Sequence, residues 1–195
     1  MSREQFSSPQ DSLQFIESMI NKAQNRFNEN GHLYLLWGWV IFACSVLHFI
    51  LSYWNISKNA QYVWFLTWGA LIYQTIYIAR KKKRVRVKTY TDEMIGYVWF
   101  VFIMLMVLTG FITGKAGAWN IMYPLFLVLY GVPTFLIGVF IKFTALQIGA
   151  ASCWLLALGS TFVPYQFQVL FISLAVISAW VIPGYLLRSR FKNQN

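Results

Sequence analysis

The sequence predicts an all-α, polytopic membrane protein with six transmembrane helices and a cytoplasmic N-terminal amphipathic helix, and three observations predict it. The 195-residue chain is 58% hydrophobic and 19% aromatic but only 11% charged, where a soluble domain carries about 25% charged residues. It holds six apolar stretches of about the 20 residues a helix needs to cross hydrocarbon. Within them, runs such as WFVFIMLMVL (Trp99 to Leu108) show no alternation of apolar and polar residues, so they do not read as the strands of a membrane barrel. Helices satisfy every backbone amide inside their own segment, as lipid requires.

Residues 1–31 read as a cytoplasmic leader. From Asp11 to Asn30, the residues Leu13, Ile16, Ile20, Ala23 and Phe27 recur at steps of three and four and form one apolar stripe. Asp11 and Gln14 have the spacing of a capping pair, and Gly31 is a natural stop. The polar face, with Glu17, Asn21, Lys22 and Arg26, is nearly neutral, which suits packing beneath the bundle or docking a partner protein better than binding an anionic surface. The polar opening is no secretory signal, and IFAC (Ile41 to Cys44) is a poor lipoprotein cleavage box because apolar sequence runs on to Tyr53.

The membrane domain, residues 32–187, is predicted to cross six times: Leu33 to Tyr53, Tyr62 to Ala79, Gly96 to Thr113, Ile121 to Ile141, Ala145 to Val163 and Val169 to Leu187. In the first span Gly38, Ser45, His48 and Ser52 share a face, and in the second Thr67, Ala70 and Gln74 do. Such stripes turn towards protein, so Ser45, His48, Ser52, Thr67 and Gln74 form a candidate polar seam. Cys44 and His48 lie one turn apart, but no carboxylate joins them, and His32 is about 24 Å away along the helix. Neither a metal nor another cofactor is expected.

Between the second and third spans stand Arg80, Lys81, Lys82, Lys83, Arg84, Arg86 and Lys88. With six spans, one side of the membrane collects fourteen of the sixteen Lys and Arg residues, leaving Lys58 and Lys115 for the other. That bias places both termini in the cytoplasm. The cluster therefore anchors topology, and its seven cations are a candidate contact for anionic lipid headgroups. No nucleic-acid-binding signature accompanies it, and no nucleic-acid partner is expected. Thr91, Asp92 and Glu93 read as the cap and first turn of the third helix. Trp54, Trp64, Trp119 and Tyr123 read as an outer aromatic belt, with Tyr97 and Trp99 on the inner one.

The fourth and fifth spans are joined by the short IKFTAL and predict an antiparallel hairpin. Ala145, Gly149, Cys153, Ala157 and Thr161 recur every fourth residue, and Gly131, Thr134 and Gly138 offer the face expected to meet them. Thr144 and Gln147 have capping-box spacing. Pro133 removes a donor and predicts a kink in the fourth helix. The last residues, 188–195, are a basic cytoplasmic tail.

All six acidic residues fall in segments assigned to the cytoplasm, and no nucleophile with its base, nor any set of metal ligands, is expected at bilayer depth. An enzyme is not predicted. SMINKAQNRFNENGHLYLLWGW near the start and YGVPTFLIGVFIKFTALQIGAASCW in the fourth and fifth spans resemble an uncharacterised family of small six-helix bacterial integral membrane proteins with an amphipathic leader. The likeness runs from Ser12 to Arg190 and implies a bacterial inner membrane; it carries over no functional residue. The function expected is a scaffold or regulatory subunit acting through protein or lipid contacts, with a partner protein or a homo-oligomer possible. The alternative is an oligomeric permease or channel for a neutral solute, which would require a continuous polar path across the bundle.

Overall fold

In a computed structural model, which describes residues 31–56, 59–82 and 90–192, the chain is all-helical, with no strand among the described residues. Helix α1 spans Gly31–Tyr53. A 3₁₀ helix, Ala60–Phe65, leads directly into α2, Leu66–Lys82. Then come α3 (Tyr90–Lys115), α4 (Trp119–Phe140) and α5 (Thr144–Ser160). The last segment is one continuous rod: α6 (Tyr165–Val176), a π turn (Ile177–Val181) and α7 (Ile182–Lys192).

Among the described residues, four helices are long and apolar enough to cross a membrane: Gly31–Tyr53, Glu93–Lys115, Trp119–Phe140 and Tyr165–Ser189. The fifth predicted span is a shorter apolar helix of 17 residues. The second predicted span differs from a single α-helix because its first turn and a half is wound as the 3₁₀ segment, leaving 17 residues of α2. The amphipathic leader, Lys58, Lys83, Arg84, Arg86, Lys88 and the end of the tail lie outside the described residues, as do the side chains of Lys81, Lys82, Thr91 and Asp92.

The core is built on the antiparallel pairing of α1 with the last rod. Small residues let their backbones approach: a Cβ on Gly38 would lie 2.6 Å from Val181 Cγ2, and one on Gly31 would lie 3.0 Å from the Gly184 carbonyl. Close approach of this kind is how helices associate in lipid, where no hydrophobic gain drives them together. Farther along, Phe49 and Tyr53 pack against Phe167 with tilted rings, centres 5.7 and 6.0 Å away. The buried centre comprises Ile41, Leu127, Leu146, Ile172, Val176 and Trp180, among others.

The α4–α5 hairpin forms, but its two small-residue faces do not meet as expected. Gly149 faces the π turn, where a Cβ would come within 2.7 Å of Ala179 Cα and 2.8 Å of the Ser178 carbonyl. Cys153 Sγ, on the same ridge, points at the Ala175 carbonyl 4.0 Å away, and Ala157 is buried farther along it. Gly131 instead receives the indole of Trp154, whose Nε1 donates to the Val128 carbonyl at 3.3 Å. At Gly138 an added Cβ would lie 3.1 Å from Gln147 N, so here α4 does approach α5 backbone. Thr134 turns inward, donating to the Tyr130 carbonyl at 2.8 Å and accepting from Trp180 Nε1 at 3.0 Å. The physical reason is that α5 sits over both α4 and the last rod, and its narrowest face goes to the neighbour whose backbone comes nearest.

One local expectation also changes. Phe143, in an extended conformation and with no side-chain cap bond, occupies the N-cap of α5. Thr144 is therefore the first helical residue, and Gln147 reaches back to donate to the Gly138 carbonyl at 3.3 Å. Helix α4 continues through both Pro124 and Pro133.

Candidate functional site

Helices α2 and α3 are attached to this core differently from the others. Helix α2 packs along α1 and its own 3₁₀ lead-in, and α3 packs along α4. No extended contact joins α2 to α3. Between them lies a cavity of about 500 Å³, within the range of small-molecule sites. Its back wall is formed by α1, α4 and the last rod, with Ile41, Tyr130, Ile172 and Trp180 at its centre. Trp68 and Leu71 of α2 and Phe102, Ile103 and Met106 of α3 form its flanks.

Aromatic rings define the wall. Six of the nine tryptophans line it: Trp37, Trp64, Trp68, Trp99, Trp119 and Trp180. Trp180 is fixed at the base, edge-on to Tyr130 at 5.0 Å and to Trp99 at 6.0 Å. Such edge-to-face pairs add specificity of shape beyond the area they bury. Among the described residues, no Lys, Arg, Asp or Glu lines it.

Polar groups stand at the two ends. At the end where α1 finishes and α4 and α6 begin, His48 and Gln61 line the cavity with Tyr123 and Tyr165, two stacked rings 5.3 Å apart. His48 Nδ1 accepts from Trp64 Nε1 at 3.0 Å. An acceptor Nδ1 places the ring proton of histidine on Nε2. At the opposite end Trp37 Nε1 donates to Gln74 Oε1. Between the ends the wall is mostly apolar; Tyr130 brings a hydroxyl to it, and the Thr67 hydroxyl is spent locally, donating to the Trp64 carbonyl at 2.6 Å.

The residues of the candidate polar seam thus separate. His48 and Gln74 bond across the α1–α2 boundary, each through a tryptophan; Thr67 bonds locally. Ser45 is wholly buried and its Oγ has no hydrogen-bond partner among the described residues. Ser52 is half-buried near the end of α1, outside the cavity wall. Cys44 does not pair with His48, its Sγ lying instead 3.5 Å from the Val63 carbonyl. Of the basic cluster, Arg80 is exposed.

Several lining residues carry roles that differ from their expected ones. Trp64 and Tyr123 were assigned to the outer belt and Trp99 to the inner one, yet Trp64 is half-buried against His48, Tyr123 is 3% exposed and Trp99 abuts Trp180. Trp37, Ile41 and His48 share one face of α1 at spacings of four and seven, the one signal in the sequence that the seam extends to aromatic residues. Compared with protein-family models, curated proteins and solved structures, the chain matches none.

Proposed function

We propose that this protein is a multi-pass, non-catalytic protein of a bacterial inner membrane that binds an apolar molecule from the bilayer between α2 and α3, and so acts as a regulatory subunit or scaffold. The observation carrying this reading is the uncharged, aromatic-walled cavity flanked by two helices that do not pack together. A molecule dissolved in lipid reaches such a site laterally and need not pass through water. The same wall argues against the permease alternative, because Ile41, Phe102 and Met106 separate the polar groups at its two ends.

Six crossings with both termini cytoplasmic remain the topology that fits best. Four long apolar helices support it, as do the 17-residue α5 and the combined 3₁₀ and α2 segment, with fourteen of sixteen cations assigned to one side. Native mass spectrometry of the purified protein, compared with Thr67→Phe, tests the binding reading. Phenylalanine at this wall position intrudes on the cavity, so a mass adduct retained by the parent should be weakened or lost in the variant while both keep the same helical circular dichroism. Equal adducts in both, or none in either, would reject it.

A further inference from the structure

We infer that the cavity selects an uncharged amphiphile, a long apolar body ending in one hydrogen-bond-accepting oxygen, and that His48 Nε2 donates to that oxygen. The inference rests on the binding function proposed above and adds to it the ligand's class and orientation. Three features carry it.

First, among the described residues the wall holds no charged side chain. An ionised phosphate or carboxylate drawn into it would lose its hydration with no countercharge, a cost of several kcal/mol per ion. Second, the polarity is concentrated at the ends. The middle is mostly apolar, with Ile41, Phe102, Met106 and Phe126, and accommodates a chain or fused ring; of its polar atoms the Trp180 indole is spent on Thr134, and Tyr130 contributes one hydroxyl. Third, the two ends are not equivalent. Gln74 accepts the Trp37 indole on its carbonyl oxygen, and its amide N–H donors sit on an unbranched side chain with no ring to orient them. At the other end the Trp64 indole occupies Nδ1 of His48, fixing the ring so that Nε2 carries the proton. Trp64 thus orients a donor, much as an outer ligand partner sets the tautomer of a metal-bound histidine. The Tyr123 ring stands edge-on to His48, 6.4 Å between centres, and limits the ring's rotation. The ligand's oxygen therefore lies at the end shared by His48, Gln61 and Tyr165, with its apolar body running towards Trp99 and Trp180.

A matched pair of brominated probes tests this, because bromine quenches tryptophan fluorescence and six of the nine tryptophans line the wall. Full-length protein in a non-ionic detergent is titrated with 16-bromohexadecan-1-ol, its methyl ketone counterpart and 1-bromohexadecane. One net hydrogen bond corresponds to roughly a three- to tenfold preference, so the alcohol and ketone should bind the parent that much more tightly than the alkane. His48→Phe should reduce the ratio of alcohol to alkane affinity to about onefold, each affinity being measured on the variant itself, and His48→Gln, which retains a donor, should recover part of it. Equal affinity of the parent for all three probes would overturn the assignment without any variant, as would a preference that survives His48→Phe. Tighter binding of 16-bromohexadecanoate than of the alcohol at pH 8 would overturn the uncharged class. If no probe quenches saturably, the binding function itself fails, which is a different result from a cavity that binds the alkane and alcohol alike.

Discussion

A single methyl group added at Gly149 should destabilise the folded bundle. In the middle of an exposed helix, Gly→Ala gains roughly 0.8 to 1 kcal/mol because alanine loses less backbone entropy on folding. At Gly149 the new Cβ would stand 2.7 Å from Ala179 Cα and 2.8 Å from the Ser178 carbonyl, where ordinary contact begins at 3.4 Å. Both atoms belong to backbone, so no rotamer change relieves the clash. Helix α5 must withdraw from the π turn by about 0.7 Å, the gap between 2.7 and 3.4 Å. The hydrogen bond of 2.6 Å between Ser152 and Ser178 spans the same interface and lengthens with it. Overpacking of this kind costs about 1 to 3 kcal/mol, which outweighs the propensity gain. Gly69 is the control: nothing lies within 4 Å of its added Cβ, so Gly69→Ala should be neutral or mildly stabilising. Thermal unfolding of both variants and the parent in one detergent measures the difference. Gly149→Ile should be worse than Gly149→Ala, and Ile148→Leu, at a residue 66% exposed, should be silent. If Gly149→Ala melts with Gly69→Ala at or above the parent, α5 does not abut the last rod there, and the packing described is wrong.

Other expectations follow from separate parts of the molecule. Thr134→Val removes the acceptor of the buried Trp180 indole and should cost about 1 to 3 kcal/mol, read as a lowered melting temperature; a melt identical to the parent's would mean the indole has another partner. Gln74→Leu strands the Trp37 indole and should cost about 0.6 to 2 kcal/mol, with a shift in tryptophan emission that Thr75→Val should not reproduce. Reporter fusions at Lys88 and Asn195 should report cytoplasm and those near Lys58 and Lys115 the outside; the reverse pattern refutes the topology. Replacing Lys81, Lys82, Lys83 and Arg84 with glutamine should reduce the anionic lipid that copurifies and make the remainder less sensitive to salt, whereas unchanged enrichment leaves topology as the cluster's role.

Helix existence was legible in this sequence because length and apolarity determine it. Every predicted span overlaps a helix, although the 3₁₀ start of the second, the short α5 and the π turn were not foreseen, since each depends on local packing and not on composition. Neighbours were much less legible. The ridge of Gly149, Cys153 and Ala157 announces close approach of some backbone, but a small-residue face fits α4 and the last rod equally well. His48 and Gln74 could be recognised as inward-facing from spacing alone. Their partners could not, because a tryptophan at a bilayer edge and one inside a pocket occupy the same sequence positions, and Trp64 is 16 residues and a helix away from His48. The cavity was invisible for the same reason: its flanks are two helices that fail to pack, and a missing contact leaves no pattern.

An element with few neighbours is held by less free energy than the core and moves at less cost. Helix α3 packs along α4 and meets the last rod through the Trp99 ring against Trp180. Its apolar part, between Glu93 and Lys115, is about 31 Å long at 1.5 Å per residue, a match for a hydrocarbon layer of about 30 Å. A sideways displacement of α3 would therefore open the mouth while leaving the pairing of α1 with the last rod intact, so the cavity widens at less cost than the core loosens.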